Sequence, residues 1–118
     1  MHGALVVDDD RDIRETVAEL LEDQGYRVHC ASDGREALEW LQEHPRETRV
    51  VVLDMMMPGM DGEQFLCEKE ARPQLADLPV VVLSAQERSS AAGRHPSVKD
   101  WLTKPIRFDR LLRAIGHA

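Results

Sequence analysis

No run of eighteen apolar residues occurs in the 118-residue chain, and the opening "MHGALVVDDD" holds no long apolar stretch. Neither a membrane span nor export is therefore predicted, and a cytoplasmic setting is the expectation. Cysteine is scarce as well. Cys30 and Cys67 have no C-x-x-C spacing, and no His/Cys run resembles a zinc site, so both are expected to be buried thiols in a reducing compartment. Positive charge is in deficit: 15 Lys and Arg against 22 Asp and Glu leave a formal charge of -7. That balance argues against direct nucleic-acid binding by this domain.

What is present suits one globular domain over residues 1–118, with 42% hydrophobic and 31% charged residues. Short apolar, β-branched runs recur: "ALVV" at 4–7, "YRVHCA" at 26–31, "VVVL" at 50–53, "PVVVLSA" at 79–85 and "DWLTK" at 100–104. They are read as five strands. Amphipathic segments separate them. Ile13, Val17, Leu20 and Leu21 share one helix face, which Gly25 terminates. A second helix near 34–44 buries Ala37, Leu38 and Leu41, and Asp33 with Glu36 forms a capping-box signal. A third starts near Asp61, carries Phe65, Leu66 and Cys67 inward, and stops before Pro73. The last runs from about Arg107 and presents Phe108, Leu111, Leu112 and Ile115. Between the fourth and fifth strands, "QERSSAAGRHPS" at 86–97 has no large apolar residue and contains Gly93 and Pro96. A weak or distorted helix is expected there.

Strands alternating with helices imply right-handed βαβ crossovers, hence a doubly wound α/β domain with a five-stranded parallel sheet. In such a sheet all strand C-termini lie on one edge, where ligands bind. The residues following the strands are Asp8, Asp9 and Asp10, then Asp54, Ser84 and Lys104. Crowded carboxylates repel unless a cation sits between them, and oxygen ligands beside a phosphoryl group suit Mg²⁺. Asp9 and Asp54 are candidate ligands, with Asp8 acting directly or through water and the Met56 carbonyl completing the set. Asp54 is also a candidate nucleophile for an acyl phosphate, with Lys104 neutralising it and the Ser84 hydroxyl donating to it. Simpler roles exist for each residue taken alone. Asp10 and Asp61 are expected to cap helices, Ser84 could be a turn residue, and Lys104 a solvated charge.

The segments "LVVDDD", "VVLDMMMPGMDG", "VVVLSA" and "DWLTKP", with 30 residues from Asp54 to Ser84 and 50 from Asp54 to Lys104, resemble the receiver domain of response regulators. The resemblance covers the whole chain. It implies the flavodoxin-like strand order 2-1-3-4-5 shared by chemotaxis receivers and a non-turnover phosphoacceptor rather than an enzyme. In such a domain Asp54 takes a phosphoryl group from a sensor histidine kinase or histidine phosphotransfer protein and the change is passed to an unspecified effector. Asp8 and Asp9 would hold Mg²⁺, Ser84 would be the switch hydroxyl, Lys104 would pair with the phosphate, and the Lys104–Pro105 bond would be cis. Trp101 occupies the switch position usually held by Tyr, Phe or His, and is alternatively a half-buried packing residue at the sheet edge. Met56 and Gln86 occupy positions that tune attack by water, and Met56, unable to orient a water, implies a long-lived phosphorylated state. Two other functions compete: a small haloacid-dehalogenase-like phosphatase using Asp8 and Asp10, and a pseudo-receiver that docks partners without phosphorylation.

Overall fold

The computed structural model describes residues 3–55, 61–85 and 95–117. Its elements are β1 Gly3–Val7, α1 Arg11–Asp23, β2 Arg27–Ala31, α2 Gly34–Glu43, β3 Val50–Asp54, α3 Gly62–Glu70, β4 Val80–Ser84, β5 Val98–Thr103 and α4 Phe108–Gly116. The five strands form one parallel sheet in the order β2-β1-β3-β4-β5.

The apolar runs form the central strands because both sheet faces are covered. Every residue of β1, β3 and β4 is buried. Alternate side chains serve opposite layers. Leu5, Val7, Val51, Leu53, Val80 and Val82 pack with Leu38, Leu41, Phe65 and Leu66 of α2 and α3. Ala4, Val6, Val50, Val52, Val81 and Leu83 pack with Val17, Leu21, Leu111 and Ile115 of α1 and α4. Asp54 and Ser84 are the last residues of two strands that are otherwise wholly apolar, so they are held at the rim by the burial of everything before them.

The helix ends follow from local chemistry. The Asp10 carboxylate accepts from Asp12 N and Ile13 N at 2.9 and 3.2 Å, which starts α1, and Gly25 has φ 93 just past its end. Asp61 and Gln64 form a reciprocal capping box on α3. At α2 only half of the expected box forms. Asp33 accepts from Glu36 N at 2.8 Å, but the Glu36 carboxylate turns to Ser32 N and Oγ at 3.1 and 2.7 Å.

Several expectations are corrected. Cys67 is exposed, because Phe65, Leu66 and Lys69 take the inward arc of α3 and leave Cys67 on the groove between α2 and α3. Cys30 is only half-buried, since it lies on an edge strand; both thiols are free. Phe108 is 47% exposed, because Leu111, Ala114 and Ile115 fill the inward stripe of α4. β5 begins at Val98, two residues earlier than the apolar pattern suggested. Lys69 is completely buried and donates from Nζ to the Ala76 carbonyl at 3.2 Å; burial pushes its amine down to about 8. Of the weak-helix segment, 86–94 lies outside the described residues.

Candidate functional site

Asp8 follows β1 directly. Its backbone N–H donates to Ala31 O at 3.1 Å and its carbonyl accepts from Arg14 Nη1 at 2.9 Å. The loop is thereby fixed on both sides. Oδ1 of Asp8 accepts from Asp10 N at 2.9 Å, whereas Oδ2 is buried without a hydrogen-bond partner. Burial pushes this carboxyl up to about 6; the Asp54 charge adds to the rise, while the Asp10 amide and the Lys104 ammonium oppose it.

Asp54 ends β3 and is 3% exposed. Oxygen atoms of Asp8, Asp9 and Asp54 lie within 4.8 Å of one another, with Asp9 on the solvent side. Lys104 approaches from beyond β5, its Nζ 3.5 Å from Asp54 Oδ1. Its backbone N–H donates to Ser84 O at 2.7 Å, and the Lys104–Pro105 bond is cis, as the resemblance implied. The Ser84 side chain is buried at the end of β4, next to β3 in the sheet. Half-buried Trp101 packs against the α2/α3 core cluster. The structure thus gathers Asp8, Asp9, Asp54 and Lys104 on one rim, with Ser84 on the neighbouring strand. Met56 and Gln86 lie outside the described residues.

Three carboxylates with one nearby ammonium carry excess negative charge. A hard divalent cation fits that donor set, and the orphaned Asp8 Oδ2 is an available ligand atom. Asp10 is not part of that cluster; its Oδ1 caps α1, accepting from the amides of Asp12 and Ile13. The Asp8/Asp10 pair required by a phosphatase of the alternative type is therefore not assembled.

Two contributors act through the backbone. The partner of Arg14 is a backbone carbonyl, which no residue type encodes. Gly62 is required by contact: a Cβ there would lie 2.7 Å from Met55 Cα and 3.3 Å from Asp54 O. Helix α3 is packed directly on the backbone at the end of β3.

Residues 4–116 match the family model described as response regulator receiver domain. Response regulator MprA of Mycolicibacterium vanbaalenii is 42% identical over 110 residues, covering 92% of this chain and 46% of that protein. MprA of Mycobacterium leprae is 40% identical over 113 residues, covering 94% and 48%. The chain spans about half the length of these relatives. Among solved structures, chemotaxis protein CheY4 of Vibrio cholerae superposes with a TM-score of 0.90 at 31% identity, covering 99% of this chain and 98% of that one. The fold, the rim chemistry and these matches agree, and the chain belongs to the response regulator receiver domain family, whose role is that of a phosphoacceptor in two-component signalling.

Proposed function

We propose that Asp54 is the phosphoacceptor of a Mg²⁺-dependent signalling switch and that the protein is labelled rather than turning over substrate. The observation that carries this reading is the buried Asp54 carboxylate, 3.5 Å from the Lys104 ammonium and within 4.8 Å of two further carboxylates. An Asp54 oxygen attacks phosphorus; the new phosphorus–oxygen bond forms as the phosphorus–nitrogen bond of a phosphohistidine donor breaks, its electron pair leaving on the imidazole. Asp8 and Asp9, with Asp54, would hold a divalent cation, which would offset charge on the transferring oxygens. Lys104 pairs with the phosphoryl group, and the Ser84 hydroxyl donates to it. Ser84 and Trp101, on adjacent strands, relay the change to an effector. Incubation with acetyl phosphate and Mg²⁺ should add one phosphoryl group per chain by intact mass. An unmodified chain, or steady hydrolysis of p-nitrophenyl phosphate, would overturn the reading.

The donor is a sensor histidine kinase or a histidine phosphotransfer protein, and its histidine must reach Asp54 across the same rim. Beside Lys104 the rim opens into a groove of about 340 Å³ lined by Ile13, Val17, Pro105, Ile106 and Phe108. Among the described residues, Phe108 is the large hydrophobic side chain left exposed, and such a group beside the chemistry suits a protein donor. Phe108→Ser is expected to lower kcat/KM for phosphotransfer from the protein donor about tenfold, the scale of losing one well-buried contact. Labelling by acetyl phosphate, which needs no docking surface, should stay within about twofold of the parent. Equal loss with both donors would place Phe108 in the chemistry instead of the docking.

A further inference from the structure

Far from the rim, at the opposite end of β5, a partly buried polar network ties two parts of the chain together. Glu70, the last residue of α3, uses both carboxylate oxygens. Oε1 is 2.7 Å from His95 Nδ1, and Oε2 accepts from Ser97 Oγ at 2.7 Å. His95 Nε2 faces Glu63 Oε1, two turns back on the same face of α3, at 3.6 Å. His95 and Ser97 are 5% and 3% exposed. Burial alone would raise the Glu70 carboxyl, but the hydrogen bonds from His95 and Ser97 prevail and hold it below the ordinary range.

This network sits where β5 is set in register. His95 O accepts from Val98 N at 3.0 Å, and Ser97 O accepts from Val80 N at 2.8 Å. Apart from this network, its alignment rests on the ladder to β4 and, at the far end, on the bond from Lys104 N–H to Ser84 O at 2.7 Å. β5 is an edge strand, its exposure does not alternate cleanly, and its pairing with β4 slips between Val80/Val98 and Val81/Asp100, leaving Lys99 as an extra residue. Register is weakly specified in such a strand, and a one-residue shift turns every side chain to the other face. The shift would reach Lys104, one residue beyond the strand, and take its ammonium away from Asp54.

We propose that Glu70, through His95 and Ser97, is a positioning residue for phosphotransfer: it locks the register of β5 and so holds Lys104 against Asp54. The proposal rests on the phosphoacceptor reading. The test compares the parent with Glu70→Ala in two measurements, both at a temperature where circular dichroism reports each protein folded. One is the rate of labelling by acetyl phosphate with Mg²⁺. The other is the set of cross-strand backbone NOEs aligning Trp101 with Val82 and Leu102 with Leu83. Labelling is expected to slow about tenfold, as for a displaced catalytic group, while those NOEs weaken or move by one residue and the β1–β3 set is retained. A role confined to stability would lower the melting temperature and move neither readout. Loss of labelling with unchanged register, or a changed register with labelling within twofold of the parent, overturns the proposal. Should Glu70→Ala not fold, Ser97→Ala, which keeps the His95 bond, is read the same way. A parent that takes no label defeats the phosphoacceptor reading itself, a result distinct from any of these.

Discussion

Asp8→Asn is expected to make the metal-free protein more stable while slowing phosphoryl transfer by at least about 100-fold. The Asp8 carboxyl is 1% exposed, its Oδ2 has no partner, and its pKa stands at about 6 against an ordinary 3.8. Below about pH 4 both folded and unfolded chains hold the proton. Between about 4 and 6 the folded chain keeps a proton that the unfolded chain releases, so stability falls as pH rises through that window. Above about 6 the penalty is complete, on the order of 2 to 3 kcal/mol. Asparagine keeps an oxygen for the Asp10 amide but carries no charge, and it should raise the melting temperature at pH 7 by about 5 to 10 °C. It also removes a cation ligand, where even loss of a supporting partner weakens metal binding about 10- to 100-fold. Melting curves at pH 5 and pH 7, with and without Mg²⁺, provide the check. The parent should be stabilised by Mg²⁺ at pH 7 through binding to the folded state, and the variant should not. A lower melting temperature for the metal-free variant would contradict this account.

Gly62→Ala should be damaging for a different reason. An added Cβ would stand 2.5 Å from Met55 Sδ and 2.7 Å from Met55 Cα. The thioether can swing aside, but the Cα belongs to the backbone directly after Asp54. Relief requires α3 and the end of β3 to separate, at a cost of about 1 to 3 kcal/mol for overpacking; little helix propensity offsets it, because Gly62 is the first residue of α3. The larger effect is on labelling, expected to drop about 100-fold because the nucleophile shifts relative to Lys104. Gly116→Ala is the matched control. Nothing lies within 4 Å of the added Cβ, and urea denaturation should report a neutral or slightly stabilising change with labelling intact. If Gly62→Ala labels like Gly116→Ala, the contact with Met55 does not govern the site.

The residues of the rim were legible because the sheet converts sequence position into spatial position. An apolar run that ends in Asp54, Ser84 or the stretch before Lys104 identifies a strand and its C-terminal neighbour together, and a parallel sheet brings those neighbours to one edge. The caps at Asp10 and Asp61 were equally legible, since they depend on residues three or fewer positions away. What escaped depends on partners distant in sequence or on the backbone. Lys69 reads as a surface lysine, but the Ala76 carbonyl and the charges of Glu70 and Asp77 support its ammonium in the interior. The Glu70, His95 and Ser97 network joins residues 25 and 27 positions apart. Phe108 and Cys67 were drawn inward by apolar character, although neighbouring residues had already filled the inward arcs of α4 and α3.

Asp54, rather than another oxygen on the crowded rim, is expected to carry the phosphoryl group. Borohydride reduction converts an aspartyl phosphate to homoserine, and peptide mapping locates the converted residue. After reaction with acetyl phosphate and Mg²⁺, homoserine is predicted at position 54, and Asp54→Asn should take no stoichiometric label. Homoserine at position 8 or 9, or a phosphate on Ser84 that resists reduction, would contradict the account.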